Sequence, residues 1–156
     1  PPRREVVTTI RPMTRDDVPL VAALEAEVEV TPWSERALED ALGPDYVARV
    51  LTDDEGQVLS WIVWRTILDE SELLLIGTAK NAQRKGFARA LLKDALAEAE
   101  GRGIVAMHLE VRAGNDPAAK LYETSGFAIV GLRKGYYFYD GRREDALLMT
   151  NRWKED

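Results

Sequence analysis

Apolar residues recur along this chain in two rhythms, and the switches between them mark out its elements. Strand-like patterning bounded by turn residues predicts strands over 6–11, 46–52, 58–67, 72–78, 104–111, 128–136 and 144–152. The strands at 46–52 and 58–67 read as a hairpin around Asp53-Asp54-Glu55-Gly56. The helical rhythm is cleanest in Ala88, Leu91, Leu92, Ala95, Leu96 and Ala99, a single buried stripe that predicts a helix over 84–101. Thr14-Arg15-Asp16-Asp17 resembles a capping box opening a helix towards Glu29, and Ser34 is a good N-cap for a second helix ending near Gly43. Asp116 as cap, with Pro117 in the first helical position, starts a short helix that ends by Ser125-Gly126. The resulting order is β, α, α, three β, α, β, α, two β. That order predicts an α/β fold with a mixed central sheet flanked by helices.

No repeat, linker or low-complexity tract interrupts the pattern, so residues 1–156 are expected to form one domain, with 1–5 as a flexible tail. A chain of 156 residues with 46% hydrophobic content can bury a substantial core. Cysteine is absent, which excludes disulfides and a thiol nucleophile. No apolar run approaches the roughly 20 residues that span a bilayer, and Pro1-Pro2-Arg3-Arg4-Glu5 lacks a signal-peptide core. A cytoplasmic location is the expectation. The net charge of −6 argues against direct nucleic-acid binding. One histidine and scattered carboxylates show no ligand spacing, so no metal is expected. Twelve Asp and Glu stand against three Arg between Arg15 and Gln57. That imbalance is either a solvated face or a field that draws in a basic peptide.

Candidate chemistry begins at Gln83-Arg84-Lys85-Gly86-Phe87-Ala88, a turn between a predicted strand and the long helix. Backbone N–H groups and the helix dipole converge at such a turn and favour a phosphate. Gly86 would admit a bulky pyrophosphate, and Arg84 and Lys85 add charge. By spacing alone, a plain helix start with one glycine fits as well. Neither a P-loop nor a Gly-x-Gly-x-x-Gly fingerprint is present. The pattern Gln/Arg-x-x-Gly-x-Gly/Ala resembles the acetyl-CoA pyrophosphate loop of the GNAT superfamily of acetyltransferases.

Over 104–111, Val105, Met107, Leu109 and Val111 point one way, and Ile104, Ala106, His108 and Glu110 the other. A covered central strand is apolar on both faces, so the His108–Glu110 face is expected to open onto a cleft. Tyr122 follows on the short helix. A carboxylate and a phenol suit acyl transfer from a thioester to an amine, the first taking a proton and the second giving one. A solvated Glu and a packed Tyr are the competing readings. His108 is expected to pack or hydrogen-bond rather than act as the base.

Leu109-Glu110-Val111-Arg112-Ala113-Gly114-Asn115 with Leu121-Tyr122-x-x-x-Gly126-Phe127 resembles the bacterial ribosomal-protein alanine N-acetyltransferases, the RimI type. Pro32-Trp33-Ser34-Glu35, Asp69-Glu70-x-Glu72-Leu73, Arg133-x-x-Tyr136-Tyr137, Asp140-Gly141-Arg142 and Glu144-Asp145-Ala146 extend the match almost to the C-terminus. The resemblance implies acetyl-CoA as cofactor, Glu110 as general base, Tyr122 as general acid and Asn115 as a contact to the cofactor arm. It also implies a ribosomal-protein acceptor of the S18 kind, an exposed N-terminal alanine attacked directly. The cofactor-binding set is then Ile76, Gly77, Thr78, Gln83, Arg84, Lys85, Gly86, Phe87, Ala88, Asn115 and Tyr122. The acceptor set is Trp33, Glu35 and Tyr137. The family usually has Asn-Ile-Ala-Val-x-Pro-x-Tyr-Gln where this chain has Leu75-Ile76-Gly77-Thr78-Ala79-Lys80-Asn81-Ala82-Gln83. Side chains expected at Leu75, Lys80 and Ala82 are therefore missing. Lysine or small-amine acetylation and non-catalytic acyl-CoA binding are the competing functions. The presence of both Glu110 and Tyr122 speaks against the last.

Overall fold

Strand and helix follow one another in the order the patterning predicts. The computed structural model describes residues 7–155. The strands are β1 Thr9–Pro12, β2 Tyr46–Thr52, β3 Val58–Ile67, β4 Glu70–Thr78, β5 Ala106–Arg112, β6 Ala128–Tyr139 and β7 Arg142–Arg152. The helices are α1 Val18–Val28, α2 Glu35–Asp40, α3 Phe87–Gly101 and α4 Asp116–Thr124. The sheet order is β1-β2-β3-β4-β5-β7-β6. β4 and β5 pair parallel while β1–β2, β5–β7 and β6–β7 pair antiparallel, so the sheet is mixed as expected. The expected tail at 1–5, and residue 6 of the first strand, lie outside the described residues.

Most differences concern element ends, and several have a local cause. The 84–101 helix starts only at Phe87, because Arg84 (φ 64°) and Gly86 (φ 84°) are left-handed. Helix α4 is capped by Asn115, not Asp116: the Asn115 side chain accepts the Ala118 N–H at 3.3 Å, and Pro117 falls in the second position. The last hairpin turns on two residues alone, Asp140 (φ 52°) and Gly141 (φ 70°), so its strands run further than predicted. Positive φ at both positions matches the twist of the flanking strands. Ser34 caps α2 as expected, accepting the Ala37 N–H at 3.1 Å. The capping box at Thr14 also forms, its N–H donating to Asp17 Oδ2 at 2.7 Å, but it opens a 3₁₀ turn over Arg15–Asp17 before α1 follows.

The chain forms two compact units, one holding residues up to Trp64 with Leu75–Leu92, the other Arg65–Leu74 and everything from Lys93. In the first, Val18, Val21, Leu38, Leu51, Trp61, Ile62, Trp64, Leu91 and Leu92 are fully buried. Helix α1 packs there on α2 and on the 3₁₀ turn Lys80–Ala82, which sequence patterning did not anticipate. In the second, Met107, Leu109, Val111, Phe127, Ala146 and Met149 form the core. The sheet ends on one side at the four-residue β1, which closes with Pro12, and on the other at the twelve-residue β6. Register shifts break the β6–β7 ladder between Ile129 and Gly131 and between Arg133 and Tyr137.

Candidate active site

The first unit carries the predicted phosphate turn. The first helical bond of α3 runs from the Ala90 N–H to the Gly86 carbonyl at 3.0 Å, so the N–H groups of Phe87, Ala88 and Arg89 precede that ladder. Gln83, Arg84, Lys85 and Gly86 are exposed, and Phe87 and Ala88 are half-buried. A Cβ added at Gly86 would meet no protein atom within 4 Å. Glycine is demanded there by φ, and the space beside it is open. Gln83 folds back, its Nε2 donating to the Thr78 carbonyl at 3.4 Å.

Ile76, Gly77 and Thr78 close β4 and are half-buried. Ser60 Oγ donates to the Gly77 carbonyl at 2.6 Å and lies 3.1 Å from Thr78 Oγ1, which ties this stretch to β3. Beneath it lies Trp61. A Cβ at Gly77 would sit 2.5 Å from Trp61 Cε2 and Nε1, so no side chain fits. The indole N–H donates to Glu25 Oε1 at 3.1 Å, and Glu25 Oε2 accepts the Trp33 backbone N–H, also at 3.1 Å. Glu25 is wholly buried. Burial pushes its carboxyl up, against the two N–H donors that hold it down. Sequence reading missed Glu25, though it falls in line with Val18 and Val21 on the buried stripe of α1. Trp33 is half-buried, and Glu35, the first residue of α2, is exposed.

The second unit carries the predicted acid–base residues. The β4–β5 register covers Ser71 with Met107 and Glu72 with His108, and goes no further towards Glu110. The expected alternation holds: Met107, Leu109 and Val111 are buried, while Glu110 is exposed. Glu110 Oε1 lies 3.6 Å from Arg133 Nη1 in an open ion pair. The Arg133 guanidinium covers the Tyr136 ring at 5.0 Å, and Tyr136 meets Tyr137 edge-on at 5.3 Å. The bulge after Arg133 sets the two tyrosines of this cluster. Gly135 (φ 61°) leaves the ladder and gives its N–H to Asp145 Oδ1 at 2.8 Å, re-aiming the two tyrosines that follow it. Burial, and then the Glu110 charge, push the half-buried Tyr137 phenol up.

Tyr122 is 7% exposed on α4 and packs edge-on against Phe127 at 6.0 Å. Asn115 caps the same helix, seven residues earlier. The loop holding Asn115 is pinned from β7. Glu144 accepts the Gly114 N–H at 2.8 Å and pairs with Arg112 at 3.2 Å, and the Asp145 carbonyl accepts the Ala113 N–H at 2.9 Å. Glu144 and Asp145 stood out in the sequence only as family matches, and their work is to hold this loop. His108 bonds Thr150 Oγ1 through Nδ1 at 2.7 Å and Glu70 through Nε2, the hydrogen-bonding role expected of it. That bond to His108 holds the Glu70 carboxyl below its ordinary value. Among the described residues no group of His, Asp and Glu could hold a metal ion, and no helix is long and apolar enough to cross a membrane.

The profile of the acetyltransferase (GNAT) family matches residues 14–127. The chain belongs to that family. Among its GNAT relatives is the [ribosomal protein bS18]-alanine N-acetyltransferase of Escherichia coli K12, 35% identical over 92% of this chain and 97% of the relative. The N-alpha-acetyltransferase RimI of Mycobacterium tuberculosis is 36% identical over 85% of this chain and 86% of its own. The crystal structure of the ribosomal-protein-S18-alanine N-acetyltransferase from Escherichia coli superposes with a TM-score of 0.90 at 33% identity, covering 96% of both chains. Arabidopsis thaliana NAA60 in complex with acetyl-CoA shares the GNAT fold, with a TM-score of 0.85 at 17% identity over 94% of this chain and 98% of its own.

Proposed function

We propose that this chain moves the acetyl group of acetyl-CoA onto the α-amine of a protein N-terminus, an alanine at the start of a ribosomal protein of the S18 kind, in the cytoplasm. The 35% identity to the Escherichia coli bS18-alanine N-acetyltransferase, over 92% of the chain, carries this reading. The open left-handed turn at Arg84 and Gly86 fits a pyrophosphate, with the N–H groups of Phe87 and Ala88 and the charges of Arg84 and Lys85 to hold it. Gln83, Ile76, Gly77, Thr78 and Asn115 would hold the rest of the cofactor. Asn115 spends its Oδ1 on the helix cap, so its NH₂ group is the part left for that contact. Acetyl-CoA supplies an activated acetyl thioester.

Glu110 takes a proton from the acceptor nitrogen, directly or through a water. Its exposure on β5 leaves room for an amine, which would displace the weak contact to Arg133. The Tyr122 Oη returns a proton to the departing sulfur. Trp33, Glu35 and Tyr137 contact the acceptor peptide. An α-amine, with a reference pKa of about 8, is roughly one-quarter free base near pH 7.5, against about one lysine side chain in a thousand. One accessible carboxylate therefore suffices for an N-terminal acceptor, and most of the remaining acceleration comes from alignment.

The test is CoA release from acetyl-CoA with two peptides. One has a free Ala-Arg-Tyr-Phe N-terminus; the other is N-blocked and carries an internal lysine. Turnover of the free peptide alone is expected. Turnover of the blocked peptide moves the reading to lysine acetylation. Acetyl-CoA binding without turnover of either points to another amine or to a binding module.

A further inference from the structure

Among the described residues, Glu25 is the one carboxylate in the first unit's core, and none of the chemistry proposed above uses it. Burying a charge is costly unless donors surround it, so a wholly buried glutamate with two N–H partners calls for a reason. Its two partners serve opposite ends of the reaction. One is the backbone N–H of Trp33, in the turn proposed to meet the acceptor. The other is the Trp61 indole, whose ring lies hard against Gly77 in the strand proposed to meet the thioester. Resting on that assignment, we propose that Glu25 is a positioning residue that locks the acceptor turn at Trp33 in register with the cofactor strand at Gly77, and so sets acceptor affinity.

A glutamine at this site keeps the shape but offers one acceptor oxygen in place of two. Its NH₂ group must then face one of the two N–H donors. Trp61 is fully buried and held by Gly77, whereas Trp33 sits half-exposed in a turn. The turn yields first. Losing that hydrogen bond at the turn should weaken acceptor binding about tenfold. Trp61→Phe removes the indole donor, so in the double variant the glutamine oxygen is free to accept from Trp33 and the tether returns.

The experiment measures steady-state acetylation of the free Ala-Arg-Tyr-Phe peptide by wild type, Glu25→Gln, Trp61→Phe and the double variant, with thermal denaturation alongside. The expected result in Glu25→Gln is a peptide KM raised about tenfold, with acetyl-CoA KM and kcat changed less than about threefold. The double variant should have a lower peptide KM than Glu25→Gln. A ¹⁵N–¹H spectrum provides a reading independent of turnover: the Trp61 indole resonance, assigned by its loss in Trp61→Phe, should shift in Glu25→Gln. Lowered melting temperature with an unchanged peptide KM would overturn the proposal, leaving Glu25 a purely structural group. So would a double variant in which the two losses simply add. A wild type idle on the free peptide but active on the blocked one overturns the acceptor assignment and this proposal with it.

Discussion

Gly77→Ala tests the packing beneath the proposed cofactor strand most directly. Its Cβ would arrive 2.5 Å from Trp61 Cε2 and Nε1 and 2.6 Å from Cζ2. Carbon atoms rest at about 3.5–4.0 Å, so strand and ring must part by roughly 1 Å. Neither moves easily. The strand is held by the 2.6 Å bond from Ser60 Oγ to the Gly77 carbonyl, and the ring is fully buried. Overpacking of this kind costs about 1–3 kcal/mol. Shifting the indole also stretches its bond to the Glu25 carboxyl, and leaving that buried N–H unsatisfied costs about 1–3 kcal/mol. The expected destabilisation is therefore about 3 kcal/mol, read as a lowered urea midpoint at constant m-value. Trp61→Leu alone opens a cavity and costs about 3 kcal/mol or more, but the alanine methyl partly fills it. The double variant should then be at least 1 kcal/mol more stable than the sum of the single losses predicts. A Gly77→Ala loss under about 0.5 kcal/mol, or strict additivity with Trp61→Leu, would refute the reasoning.

Three other substitutions probe the remaining features. Glu110→Gln should lower kcat about 10²-fold or more while acetyl-CoA affinity by calorimetry stays within about twofold; unchanged turnover would remove Glu110 as the base. Gly86→Ala meets no protein atom, so only φ opposes it: a stability loss of about 1 kcal/mol is expected, together with weaker acetyl-CoA binding. Stability loss without weaker binding would separate this glycine from the cofactor. Asp17 is held at about 2 by its hydrogen bonds from Arg11, below the ordinary 3.8. Its contribution is whole above the unfolded value and lost as pH falls towards 2, about 1–2 kcal/mol after allowing for the solvent-facing Arg11. Asp17→Asn should flatten the melting temperature between pH 5 and 2.5, and an unchanged slope would assign acid sensitivity elsewhere.

What could be read from sequence depended on whether a residue advertises its conformation. Ser34, the alternation over Met107 to Val111, and the Leu91-Leu92-Ala95-Ala99 stripe each follow from one local preference, and each holds. Arg84 carries no signal that it adopts φ 64°, since left-handed geometry is advertised by glycine and asparagine, so the patterning predicts α3 three residues early. Asn115 and Asp116 are equally good caps and Pro117 fits either of the first two positions, so only backbone geometry decides between them. Within the candidate site, the outward position of Glu110 was legible from the strand alternation, while its proposed role and that of Tyr137 come from the family resemblance. Arg133 meets Glu110 only because β7 lies between their strands, and the bulge that adds the tyrosines beside it leaves little trace in a sequence. Glu25 was hidden for a different reason. A charge in a helix reads as solvated surface until two distant N–H groups are seen to face it.

The broken margin of the sheet also bears on how the protein keeps to itself. Strand β6 exposes Ile129, Val130, Leu132 and Phe138 along an outermost strand, a composition that invites another chain to add on. The register shifts at Val130 and across Lys134–Gly135–Tyr136 interrupt that template, and the exposed charges of Arg133 and Lys134 fall at the second break. At the opposite margin, β1 is four residues long and ends in a proline with no N–H to offer. The bulge that turns Tyr136 and Tyr137 towards Arg133 and Glu110 thus also guards against strand-to-strand aggregation, and a variant that straightened β6 would trade solubility for a continuous ladder.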